Sequence, residues 1–314
     1  MQHDCSLFRQ LLRKTGLFML AFLPPVVRGI LATLFLILNT VFFCIPLFLT
    51  ALIKACIPIE IIRLACNQVL NLVVTLWIYI NTGLITLFTP MKVVVTGDTD
   101  LRKDRSYLIT SNHQTWADIV IVQQVLNGKA PSIKFFLKKE LIWVPILGLC
   151  WWALDFPFMK RYSREFLEKH PEKKGEDLET TRKACEKFQG LPVSVYNYVE
   201  GTRFTEAKHK HQQSPFKHLL KPKAGGIGFV LGAMGNNLQD FLNITLSYKG
   251  KTPDFWDFLC GRCPEVKVHI EKSSIPDKYL GRDYLRDDDY RKDIQSWVNK
   301  LWEEKDRRLE EMES

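Results

Sequence analysis

Several common devices are missing from this chain. Its eight cysteines are scattered over 314 residues with no small-domain framework, which argues against a disulfide-stapled secreted module and for reduced thiols on a catalytic part facing the cytosol. The lone Cys-x-x-Cys from Cys260 to Cys263 has no second pair at zinc-finger spacing. Gly225, Gly226 and Gly228 do not fall in the GxGxxG order, so no dinucleotide fingerprint is present. There is no internal repeat. His209 and His211 stand among Lys208 and Lys210 and are expected in a solvated loop rather than on a metal.

The most informative absence is of charge. Residues 29–53 carry none over 25 positions, enough to cross about 30 Å of hydrocarbon as a helix. A second uncharged run covers 64–91, with Leu70 to Phe88 at its centre. The apolar stretch is too long, starts too late and lacks a small-residue cleavage site, so a removed signal peptide is not expected. Residues 1–91 are therefore expected to be a membrane anchor of two apolar helices, at about 29–53 and 64–88. Arg9, Arg13, Lys14 and Arg28 precede the first run and a charged domain follows the second. The positive-inside rule then gives a hairpin with Lys54 to Arg63 on the far side, Glu60 and Arg63 being spaced as an i, i+3 pair. Pro46, Asn39 and Asn67 leave open the alternative of two helices lying in one leaflet.

From Met91 onward the composition changes. Strand-like runs at Val93 to Val95, Tyr107 to Thr110, Ile133 to Leu137, Val193 to Val199, Ile244 to Tyr248 and Val266 to Ile270 alternate with helical or loop stretches, including Thr180 to Phe188. This predicts an α/β domain over 92–280, a sheet with helices on its faces. Ser163 to Leu178 is dense in charge and reads as a surface connection. The block Leu141 to Phe158, with Trp143, Trp151 and Trp152, suits either a soluble core or an acyl-chain groove wall or interfacial surface; Phe255 and Trp256 with Phe258 and Leu259 suit the same. Residues 281–314 are predicted to be a charged, exposed C-terminal helix with Trp297, Leu301 and Trp302 as its one apolar stripe. Net charge is +9, which suits nucleic acid, anionic lipid or an anionic substrate equally.

Reacting groups are expected at the carboxyl ends of strands. Ser111-Asn112-His113-Gln114-Thr115-Trp116-Ala117-Asp118 follows one strand-like run and precedes Ala117 to Leu126, a candidate helix or second strand. His113 and Asp118 miss each other by about 140° on a straight helix, so they meet only if His113 lies in the loop and Asp118 in the first helical turn. They would then form a general base and its orienting carboxylate, with no nucleophile of their own. Val199-Glu200-Gly201-Thr202-Arg203, after another strand-like run, has types that suit an anion: glycine allows close backbone approach and arginine grips phosphate in a fork. Lys221 or Lys223 at the glycine-rich turn could approach an anionic substrate.

Asn112-His113 followed by Asp118 resembles the Asn-His-x-x-x-x-Asp box of the lysophosphatidic acid acyltransferase (PlsC-type, AGPAT) family, and Glu200 to Arg203 resembles its Glu-Gly-Thr-Arg box. Lys138 to Leu141, Pro145, Gly148 and Phe158 to Arg161 resemble its second block. Leu220 to Gly226 and Asp254 to Leu259 resemble the branch containing YihG-like and lysocardiolipin acyltransferases. Where the family's fourth block usually carries a proline, Phe241 to Tyr248 has none. The resemblance spans roughly residues 90–275. It implies a mixed α/β sheet flanked by helices behind a membrane-embedded helical pair, with His113 and Asp118 catalytic. It also implies a phosphate or acceptor site of Glu200, Gly201, Thr202, Arg203, Arg161 and Lys138, with further acceptor or thioester contacts from Asn112, Trp116, Lys223 and Gly225. It implies acyl-CoA or acyl carrier protein as co-substrate, a lysophospholipid acceptor, lipid as partner, no nucleic acid, no metal or redox cofactor, and a bacterial inner membrane with the domain facing the cytoplasm. The reading from another class is a membrane-anchored basic binding protein without catalysis.

Overall fold

The computed structural model describes residues 20, 22–156, 158–159, 169–170, 183, 192–284 and 286–313. Arg161 and nearly all of the two stretches Ser163 to Leu178 and Thr180 to Phe188 lie outside the described residues. Helix α1 (Pro25–Cys56) starts with proline in its first turn, where the missing N–H costs nothing, and α2 (Glu60–Phe88) follows after a short break. Both are long and apolar enough to cross a membrane by length and composition. Arg63 and Glu60 meet at 3.3 Å on the exposed surface.

The chain then enters a six-stranded sheet. Its strands are β1 (Lys92–Gly97), β2 (Tyr107–Ser111), β3 (Ile133–Phe135), β6 (Ser194–Asn197), β7 (Asp240–Tyr248) and β8 (Glu265–Ser274), in the order β1-β8-β7-β2-β6-β3. All neighbours run parallel except β7 and β8, so the sheet is mixed. The central strands β2, β6 and β7 are buried along their whole length, as continuous apolar strands covered on both faces should be. Ile133 to Leu137, expected as one strand, divides after Phe135. Leu137–Lys138 (β4) leaves the main sheet and pairs instead with Phe158–Met159 (β5).

One face of the sheet carries α3 (Ala117–Leu126), a helix rather than a strand, together with the ends of α1 and α2 through Ala32, Ile85 and Phe88. The short helices α4 (Leu147–Ala153), α5 (Glu206–Gln212) and α7 (Phe255–Leu259) sit on connections. His209 and His211 therefore lie on a helix and not in a loop, and His209 Nε2 is 2.6 Å from the Phe216 carbonyl.

The opposite face is covered by α6 (Gly225–Met234) and α8 (Asp288–Glu313). The expectation of an exposed C-terminal helix fails here. Tyr290, Ile294, Val298, Trp302, Lys305 and Leu309 are buried against the sheet, while Trp297 and Leu301 are only partly so. The stripe runs at intervals of three and four residues and is interrupted by a lysine, which hides it among the charges.

Candidate active site

The two polar loops meet because β2 and β6 are parallel neighbours whose carboxyl ends lie side by side. Thr110 pairs with Asn197, and continuing that register by three residues sets His113 opposite Glu200. The His113 N–H indeed donates to Glu200 Oε1 at 3.1 Å, and the Phe204 N–H donates back to the His113 carbonyl at 2.7 Å. On its other side the loop is tied to β7: Asn112 Nδ2 donates to the Leu246 carbonyl at 2.8 Å and Asn112 Oδ1 accepts from the Leu246 N–H at 2.9 Å. A side-chain amide thus continues the ladder where the backbone of β2 turns away.

His113 lies in the loop and Asp118 in the first turn of α3, as meeting requires, with Nδ1 2.9 Å from Asp118 Oδ2. That oxygen also accepts the N–H groups of Gln114 at 2.7 Å and Thr115 at 2.9 Å, and Oδ1 accepts the Tyr248 hydroxyl at 2.6 Å. Asp118 is fully buried and only accepts, so Nδ1 must carry the proton and Nε2 is left with its lone pair. Nε2 makes no hydrogen bond among the described residues. The imidazole is stacked on Tyr198, ring centroids 4.0 Å apart. Burial, and secondarily the Asp118 charge, push the Tyr248 phenol well above its ordinary value, so it remains a donor.

Glu200 is also fully buried. Its second oxygen accepts the Leu220 N–H at 3.2 Å, so the carboxylate ties the His113 loop to the loop before α6 and is not free to touch a substrate. Burial pushes its carboxyl up to about 8, opposed by those two N–H groups. Gly201 has φ +70°, a conformation that favours glycine, and it turns the chain so that Thr202 and Arg203 face outward. Arg203 is exposed and its guanidinium lies over the Trp116 ring at 4.9 Å. Lys208 donates to Thr202 Oγ1 at 2.8 Å and to the Arg203 carbonyl at 2.9 Å, bracing this turn from α5.

The remaining expected residues fall into two groups. Lys223 is exposed, and its N–H donates to the Val199 carbonyl at 2.7 Å, placing it beside the Glu200 turn; Gly225 opens α6 just after it. Lys138 is exposed at the end of β4, and among the described residues no hydrogen bond joins it to His113. Tyr198, Tyr248 and Lys208 were missed in the sequence. Only Tyr198, two positions before Glu200, had a local signal.

A narrow apolar cavity lies further along α3. It is lined from α1 by Phe43 and Leu47, from α2 by Val73 and Trp77, and from the tryptophan block by Leu147 and Trp151. Gln123 of α3 borders it, five residues from Asp118, about 7.5 Å along the helix axis. A larger open groove between Pro215 to Pro222 and α8 is lined by Lys221, which therefore faces away from His113, and by none of the other expected site residues.

Residues 92–232 match the acyltransferase family, a span that contains both loops. That match and the relatives that follow support the lysophosphatidic acid acyltransferase family. It is 27% identical over 190 residues to human 1-acyl-sn-glycerol-3-phosphate acyltransferase gamma, a match covering 57% of this chain and 45% of that protein. The chain thus spans less than half the length of that relative. It is 25% identical over 303 residues to zebrafish (Danio rerio) lysocardiolipin acyltransferase 1, covering 90% of this chain and 71% of that one. Among solved structures it shares its fold with the 1-acyl-sn-glycerophosphate acyltransferase PlsC from Thermotoga maritima, at a TM-score of 0.50 and 17% identity, over 88% of this chain and 97% of that one.

Proposed function

We propose that this protein is a member of that family and moves a fatty acyl group from an acyl thioester, on coenzyme A or acyl carrier protein, to the free hydroxyl of a lysophospholipid, first among them 1-acyl-sn-glycerol-3-phosphate. The observation that carries this is a buried, carboxylate-oriented histidine whose Nε2 makes no hydrogen bond among the described residues, on the same loop pair as an exposed guanidinium. Nε2 takes the proton as the acceptor oxygen attacks the thioester carbon, and returns it to the sulfur as the carbon–sulfur bond breaks. Such general base and acid work is worth roughly 10²–10⁴ in rate. A thiolate leaves readily, so the chemistry calls for neither a covalent acyl-enzyme nor a metal. Arg203, held flat by Trp116, offers its fork to the acceptor's phosphate, and the apolar cavity along α3 suits an acyl chain.

The helical pair lies in one leaflet in this reading. α1 touches the folded domain at Ala32, again at Cys44 and Leu47, and finally at Lys54, whose ammonium is bonded to Asp155. A helix tied to one folded domain at two points about 33 Å apart, Ala32 and Lys54, runs along that domain and does not cross a bilayer away from it. The site then faces the cytoplasmic leaflet of a membrane, and a bacterial inner membrane fits. The second reading, an acceptor such as lysophosphatidylglycerol or lysocardiolipin, is favoured by the long match to a lysocardiolipin acyltransferase.

The test is free-thiol release from an acyl thioester in the presence of a panel of lysolipids. Acceptor-dependent release that falls by at least a hundredfold in His113→Ala, with the variant still membrane-bound, is the expected result. Release independent of acceptor, or unchanged in the variant, would sink the reading. Arg203→Ala should raise KM for phosphorylated acceptors about tenfold or more, since a charge-assisted pair contributes about 1.5–3 kcal/mol. Weakening of the thioester alone would contradict the phosphate role.

A further inference from the structure

Residues 139–156, between β4 and β5, form a wedge of fixed shape. A 3-10 turn, Lys139–Trp143, leads to Ile146 at φ +65°, a left-handed conformation rarely taken by a β-branched residue. α4 follows, and Gly148 lies so close to the turn that a Cβ there would stand 2.0 Å from the Ile142 carbonyl oxygen. The chain leaves through Asp155, also left-handed at φ +57°.

The wedge holds large apolar groups outward. Trp143 is 85% exposed, Leu149 57% and Trp152 59%. The other side of α4, Cys150 and Ala153, packs on Phe43, Cys44 and Leu47 in the middle of α1, where the Cys44 and Cys150 sulfurs are 3.4 Å apart. At the same level α1 exposes Phe42, Ile45 and Leu49. The free face of α4 is therefore continuous with the apolar surface of α1 and shares its depth. Polar groups collect only at the base. Lys138, Lys139 and Glu140 are exposed where the chain enters, while on its exit Asp155 is bonded to Lys54 and the Lys134 ammonium donates to the Leu154 carbonyl at 2.6 Å.

We propose that this wedge is a third membrane-embedded element, with Trp143, Leu149 and Trp152 seated in a lipid bilayer beside α1 and α2 and Lys138 and Lys139 at its anionic headgroups. The proposal rests on reading α1 and α2 as embedded. A bilayer is the occupant because the patch continues a surface already apolar over two long helices and has basic residues at its base, where headgroups would lie.

The test uses the full chain in vesicles of phosphatidylethanolamine and phosphatidylglycerol with brominated acyl chains, which quench tryptophan in lipid, against acrylamide, which quenches it in water. Trp143→Phe and Trp152→Phe should each remove a component of emission that bromolipid quenches and acrylamide spares. Trp116→Phe, at the site mouth, should remove one that acrylamide quenches more strongly. If the component lost from residues 143 and 152 is quenched by acrylamide, the wedge stands in water and the proposal fails. Shielding from both quenchers that disappears on diluting protein in lipid would make the patch a contact with a second copy, and also overturn it. Leu38→Trp reports on α1 separately. Bromolipid quenching there without quenching at 143 and 152 sinks only the wedge, whereas its absence there sinks the embedded reading and the wedge together.

Discussion

Two carboxylates, Asp118 and Glu200, are both fully buried within one loop pair, yet they are solvated by the protein very differently. Asp118 accepts from an imidazole, two backbone N–H groups and a phenol. Among the described residues Glu200 accepts from two backbone N–H groups alone, at longer distances, and burial pushes its carboxyl up to about 8. A carboxylate given enough donors can serve as a steady negative charge beside a base. One given few is a tie between loops whose charge is barely tolerated. Residue type and burial are nearly the same in the two cases, so it is the number and kind of donors that separates the carboxylate that orients His113 from a brace.

The largest effect expected from breaking this comparison is at Asp118. Asp118→Asn keeps a carbonyl for the N–H donors and an amide for Tyr248 but removes the charge that supports imidazolium, and kcat should fall by roughly 10²–10⁴ with KM nearly unchanged. Steady-state kinetics check it, and a loss confined to KM would make Asp118 a structural residue only. Glu200→Gln should cost less, about tenfold in kcat, since one of its two backbone N–H groups then faces an amide donor. Its signature is in the pH dependence of stability. The native carboxyl binds its proton more tightly than the unfolded one, so the wild-type chain loses stability as pH rises from the ordinary glutamate range toward about 8, and levels off above. Glu200→Gln should flatten that decline, seen as a smaller drop in thermal midpoint between pH 5 and pH 9. An unchanged drop would mean that Glu200 ionises as easily inside as out.

Of this contrast the sequence displayed one half. His113 and Asp118 were legible because their meeting depends only on a loop turning into a helix within five residues. Glu200 and Arg203 were legible as types next to a strand, but the part Glu200 plays was not: its partners are backbone N–H groups, which every residue but proline has, and Leu220 enters only when β6 and α6 are folded together. Tyr248 lies 130 positions from Asp118, and only the parallel pairing of β2 with β7 brings it near. The α/β class was readable from the alternation of strand-like and helical runs. The order of the strands was not, because among the described residues β1 pairs only with β8, across nearly the whole domain.

The smallest expected effect, and the sharpest on the comparison, concerns a buried charge of opposite sign. Lys305 of α8 reaches through the core so that its ammonium donates to the Ile244 carbonyl at 2.5 Å, on the strand residue paired with Ser111 just before the His113 loop. It is fully buried, and burial lowers it to about 7, opposed by Glu271 and Glu200. The unfolded lysine holds its proton to higher pH than the native one, so Lys305 weakens the fold below about 7, and the penalty is relieved as pH rises toward the ordinary lysine value. This is the reverse of Glu200, and near neutral pH the two slopes partly cancel. Lys305→Met retains most of the volume, and replacing a buried charge by an apolar group of similar size is often neutral or stabilising. Thermal midpoints should therefore be equal to or above wild type at pH 6, with the advantage shrinking by pH 9 and kcat changed by no more than about threefold, or about 0.7 kcal/mol. A variant that is less stable at pH 6 than at pH 9 relative to wild type would show that the ammonium holds the strand under the His113 loop more strongly than its burial costs. Glu200 would then have to be regarded as one half of an ion pair and no longer as an isolated brace.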